Sequence, residues 1–116
     1  VSFSAAQKKA RDARRKEDLL NVQKAAEQYY SLNNYNYPTS YGVGQSWAVN
    51  GQTMLESFPT DPKNVAPYQY NGNVGTSGYC FCAALENNTG NCGNSSCTAF
   101  TNIGGTGAYF CVKNQQ

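Results

Sequence analysis

Histidine is absent from this 116-residue chain. With it go the commonest general base, the usual activator of a serine or cysteine nucleophile, and the second ligand type of a mixed zinc site. Charge is scarce as well. Charged residues make up 14% of the sequence, against about 25% in a typical soluble domain, and residues 87–116 contain no Asp or Glu. The only prolines are Pro38, Pro59, Pro62 and Pro67, and neither proline nor glycine occurs from Ser4 to Asn33. No apolar run approaches the roughly 20 residues that span a bilayer, and no cleavable signal peptide is visible. The length fits one domain.

The charge that is present sits at one end. Residues 1–27 hold seven basic side chains, Lys8, Lys9, Arg11, Arg14, Arg15, Lys16 and Lys24, and four acidic ones, Asp12, Glu17, Asp18 and Glu27. The same segment is rich in Ala, Lys, Arg, Glu, Gln and Leu, which predicts a helix over residues 1–33, a rod of about 45 Å for thirty residues. Leu19, Val22, Ala26 and Tyr29 recur at helical spacing, so the C-terminal half has a face to bury. From Lys8 to Lys16 only alanines stand among the charges. That half is expected to project, or to pack against something outside the domain. Asn33-Asn34 supplies a helix stop, because Asn tolerates the left-handed conformation.

Residues 34–67 read as a loop region, with a helical turn expected around Met54 to Ser57 and a rigid turn at Phe58-Pro59-Thr60-Asp61-Pro62. Residues 68–116 read as sheet. The strand candidates are Tyr68 to Tyr70, Tyr79 to Leu85 and Ala108 to Val112. In the middle one, Tyr79, Phe81, Ala83 and Leu85 share one face, and Cys80, Cys82, Ala84 and Glu86 the other. Gly72 to Gly75 and Gly104 to Gly107 are expected to be hairpin connections, since neither follows a strand and opens a helix as a phosphate-binding loop does. The fold class is therefore α+β: a long N-terminal helix on an antiparallel sheet of three to four strands.

Five cysteines in an Asn- and Gly-rich setting point to disulfides in an oxidising compartment. Cys92 with Cys97 is the expected local pair. Cys82 with Cys111 would tie the central strand to the last and leave Cys80 as the free thiol, although Cys80 shares a face with Cys82 and could take its place. An exported protein needs a targeting segment, expected upstream of Val1, with Val1 to Ala6 as the tail of something more hydrophobic.

Little here suggests catalysis, a cofactor or a metal. Asp61 lies between prolines, and Glu56 and Glu86 are isolated in sequence, so a paired-carboxylate hydrolase would have to rest on Asp61 or Glu86. Asn87-Asn88-Thr89 and Asn94-Ser95-Ser96 match the N-glycosylation pattern, which arises readily by chance in an Asn-rich loop. Lys8, Lys9, Arg11, Arg14, Arg15 and Lys16 are candidates for a contact surface. Local pairing or subunit contact is preferred, with Asp12 four residues before Lys16. A membrane surface comes next, and nucleic acid last.

The run from Ala10 to Tyr30, followed by Asn33-Asn34-Tyr35-Asn36-Tyr37-Pro38, resembles the second half of the long helix of bacterial type IV pilins and type II secretion pseudopilins. Phe58-Pro59-Thr60-Asp61-Pro62 and Tyr68-Gln69-Tyr70 are similar to the loop and first strand of the major pseudopilins. The resemblance implies an apolar half-helix and a prepilin-peptidase cleavage site ahead of Val1. That half-helix would anchor the subunit in the membrane before assembly and pack in the filament core afterwards. It further implies a cell-surface filament, with other copies and related pilins as partners and with inner-membrane assembly machinery. The calcium-binding acidic loop of many major pseudopilins has no counterpart in residues 87–116, which favours a pilin, or a pseudopilin whose loop is held by disulfides. The alternative from another class is a secreted module that binds a surface, a carbohydrate or DNA through Tyr- and Asn-rich loops.

Overall fold

A computed structural model describes residues 2–96 and 107–116. Helix α1 spans Phe3–Leu32. It opens with the Ser2 hydroxyl accepting the Ala5 amide at 3.1 Å, which satisfies one of the free donors of a first turn. It closes where Asn34 and Tyr35 adopt left-handed φ of 54° and 60°, the stop expected of the Asn pair. Five strands follow: β1 (Trp47–Val49), β2 (Gln52–Leu55), β3 (Asn71–Gly75), β4 (Gly78–Ala84) and β5 (Tyr109–Lys113).

The architecture is α+β, as expected, but the strands form two antiparallel sheets rather than one, β1-β2 and β3-β4-β5. The β1-β2 hairpin replaces the helical turn expected near Met54. Its turn residues, Asn50 and Gly51, have φ of 51° and 80°, and Asn-Gly is the pair that a tight hairpin with two positive φ values prefers. The candidate strand at residues 68–70 is not one either. Tyr68 only bridges back to Val65, and the strand begins at Asn71, so the Gly72 to Gly75 segment read as a connection is β3 itself. Gly72 stands opposite Phe81, and a Cβ at this position would run into the Phe81 ring. The glycine makes room for that ring.

Strand β4 is central and buried on both faces. As the two-residue period requires, Tyr79, Phe81 and Ala83 join the main core with Leu19, Val22 and Ala26 of α1, while Cys80 and Cys82 enter a separate cluster with Cys92 and Cys111. Aromatic rings run through the main core: Trp47 to Phe58 at 6.2 Å, Phe58 to Phe81 at 5.3 Å, and Tyr37 to Tyr79 at 5.0 Å between centroids. Cys82 and Cys111 are register partners in β4 and β5 and form a disulfide. Cys80 is disulfide-bonded too, which corrects the reading that left it as the free thiol. The Cys92–Cys97 pairing lies outside the described residues, because Cys97 does. So does the part of the second glycine-rich piece from Gly104 to Thr106.

The outer edge of β5 is covered by local structure. Gly90 and Cys92 bridge to Gly107 and Tyr109. Beyond them the Asn91 side-chain amide takes over as a strand would, donating to the Cys111 carbonyl at 2.9 Å and accepting the Cys111 amide at 2.8 Å. Covering an edge in this way removes a template for unwanted pairing.

Candidate functional site

Arg15 stands four residues after Arg11 and three after Asp12 on α1, so both neighbour it on one side of the helix. Arg15 is completely buried and Asp12 nearly so. The Arg15 guanidinium forms a two-point fork with Asp61, Nε to Oδ2 at 2.8 Å and Nη2 to Oδ1 at 3.0 Å. Its third nitrogen donates to Asp12 at 2.8 Å and to Glu86 at 2.9 Å. Tyr68 stacks on it, with the guanidinium carbon 4.9 Å from the ring centroid.

Each acid is held from its own side as well. Asp61 Oδ1 accepts the amides of Lys63 and Asn64 at 2.8 and 3.3 Å, a local turn that aims the carboxylate at the helix. Asp12 accepts the amides of Glu86 and Asn87 at 2.9 and 2.8 Å, so it caps the chain as it leaves β4. Glu86 takes a second fork from Arg11, at 2.5 and 2.6 Å. No buried side-chain nitrogen or oxygen is left without a partner among the described residues.

The electrostatics follow from this geometry. Hydrogen bonds from Arg11, reinforced by Arg15 against the cost of burial, hold the Glu86 carboxyl well below its ordinary value, at about 2. For Arg15, burial works against the charged form, yet the bonds to Asp61, Glu86 and Asp12 outweigh it and raise its pKa. An unpaired ion in this position would cost several kcal/mol. Asp61 and Glu86, the two acids that a hydrolase would have to use, serve here as acceptors for arginine. Among the described residues no group of three or more His, Cys, Asp or Glu is arranged for a metal ion, and the centre of the acidic cluster is filled by a guanidinium.

The six basic residues singled out in the sequence therefore divide. Arg11 and Arg15 are bound into the cluster, and Lys16 donates to the Thr89 carbonyl and hydroxyl at 3.0 and 3.1 Å. Lys8, Lys9 and Arg14 are exposed, with Arg14 only 3.9 Å from Asp18. Asp12 pairs with Arg15, not with Lys16. The helix is bare from Phe3 to Ala10, whereas the half expected to project ran on to Lys16.

A second polar seam lies further along α1. Glu27 accepts the hydroxyls of Tyr37 and Tyr79 at 3.0 and 2.7 Å and the Gln115 amide at 3.1 Å. Asp18 accepts the Tyr70 hydroxyl at 2.7 Å. Burial, then the bond to a carboxylate, pushes all three tyrosines well above their ordinary value.

Sequence reasoning missed the cluster because Asp61 and Glu86 lie 46 and 71 residues from Arg15. The one local signal was Asp12 three residues ahead of Arg15 on a helix. The chain matches no family model, no curated protein and no solved structure. No described helix is long and apolar enough to cross a membrane.

Proposed function

We propose that the chain is the head and half-helix of a type IV pilin-like subunit that works by packing in a cell-surface filament, with no catalytic step of its own. The observation that carries this reading is the division of α1. Residues 19–26 supply Leu19, Val22, Ala25 and Ala26 to the core, whereas every residue from Phe3 to Ala10 is exposed. A helix with no face buried in its own domain is marginal in water, and this bare stretch is the surface that neighbouring subunits would cover.

Under this reading the partners are other copies and related pilins, together with inner-membrane assembly machinery reached through an apolar segment ahead of Val1. The subunit is membrane-anchored before assembly and extracellular afterwards. Lys8, Lys9 and Arg14 are the side chains available to a neighbour or to lipid headgroups. Nucleic acid is not favoured, since Arg11, Arg15 and Lys16 are already committed within the chain.

Two measurements test the proposal. The gene upstream of Val1 should encode an apolar stretch of about 20 residues, and sheared surface appendages should contain this chain by mass spectrometry and appear as filaments by electron microscopy. A gene product without that stretch, or appendages without the chain, overturns it. In the pseudopilin alternative, deleting the gene would abolish secretion while surface filaments remained.

A further inference from the structure

On the face of β4 turned away from the main core lies a half-open cleft of about 310 Å³. That volume is at the lower end of the range for small-molecule sites. Its floor is Cys82 and Ala84, both buried, and the disulfide from Cys82 to Cys111 fixes that floor to the neighbouring strand. Tyr109, the register partner of Ala84, borders it, as do Pro67 and Tyr70. The Tyr70 ring itself packs against the main core and bonds Asp18 of α1 through its hydroxyl, whereas Tyr109 packs against the cysteine cluster. Gln69, Asn71 and Ser95 stand at the rim. Asn71 donates to the Ser95 carbonyl at 3.0 Å, joining two walls that are 24 residues apart in sequence.

None of the described residues lining the cleft carries a charge. An ionised ligand would give up water here without finding a counter-ion, which is costly. The lining does offer the Tyr109 ring, side-chain amides that both donate and accept, and a hydroxyl. That combination suits a molecule with C–H faces and many hydroxyl groups. We infer that the cleft between Tyr109 and the Gln69–Asn71 rim binds a neutral saccharide unit. The proposal is independent of filament assembly, because every residue it uses belongs to one copy of the chain.

The test is a titration of the isotope-labelled 116-residue chain, followed by amide NMR, with glucose, galactose and N-acetylglucosamine. N-acetylneuraminic acid and glucose 6-phosphate serve as charged comparisons. At least one neutral sugar should give saturable shifts at Gln69, Asn71, Ala84 and Tyr109. Gln69→Ala and Asn71→Ala should each weaken that binding about 3- to 10-fold, the effect of losing one hydrogen bond, while Gln52→Ala in β2 leaves it unchanged. The variants' own spectra report whether the fold is intact. Absence of shifts with all three neutral sugars, binding of the charged sugars alone, or affinities unchanged in both rim variants would overturn the proposal.

Discussion

Arg15 exchanges water for three carboxylates and an aromatic face, so what it contributes depends on all of them together. Arg15→Ala leaves Asp12, Asp61 and Glu86 facing one another in a dry site, and should lower unfolding stability by about 3–5 kcal/mol in a urea titration. Arg15→Lys should recover only part of that loss. It restores the charge but cannot reproduce the two-point fork to Asp61. Glu86 makes the same cluster sensitive to acid. Its pKa is about 2 in the folded chain against an ordinary 4.5, so the unfolded chain takes up a proton that the folded chain refuses. Stability from this group is full above about pH 4.5 and should fall as pH drops toward 2. Stability measured across that window should decline less steeply in Glu86→Gln. Little of this was legible in the sequence, because Pro-flanked Asp61 and isolated Glu86 acquire meaning only when the fold brings them to α1.

The elements themselves were more readable, and where they were not, a local cause can be named. The absence of proline and glycine placed α1 to within two residues at its start and one at its end, and period-two alternation correctly assigned the two faces of β4. Asn50-Gly51 carried a hairpin signal that was overlooked within a Gly- and Pro-rich stretch. Gly72 was misread because glycine in a strand normally signals weakness, whereas here it makes room for the Phe81 ring. The helical face offers a direct comparison between neighbours. Leu19 is fully buried and Leu20 is 49% exposed. Leu19→Ala should therefore cost about 2–5 kcal/mol and Leu20→Ala no more than about 0.5, both read from shifts in the urea midpoint.

For the whole molecule, the contacts between α1 and the head fall into a small number of seams along one axis. The longest dimension, 48 Å, matches the helix, and the seams follow one another along it: the arginine cluster, the apolar stripe, then the Glu27 tyrosines. Tyr37, Tyr70 and Tyr79 each donate a hydroxyl to a helix carboxylate, and all three are held neutral above their ordinary pKa of 10. Below pH 10 their contribution is complete. Above it the unfolded chain ionises while the folded chain keeps its protons, so stability should drop. Unfolding monitored jointly by tyrosine absorbance and helix circular dichroism should then show one transition, with a shallower alkaline fall in Tyr79→Phe.

The bare first turns of α1 have a mechanical meaning. From Phe3 to Ala10 no hydrogen bond or ion pair reaches the head among the described residues, so tension applied at the N-terminal end passes down the helix undiminished. The first bonds to receive it are those of Arg11, Asp12 and Arg15, which run to two separate parts of the chain: the turn at Asp61 and the Glu86-Asn87 exit from β4. The pull is thus divided among several short ionic bonds before it reaches Leu19. The apolar seam, which resists sliding poorly, is shielded by the part of the molecule that resists it best.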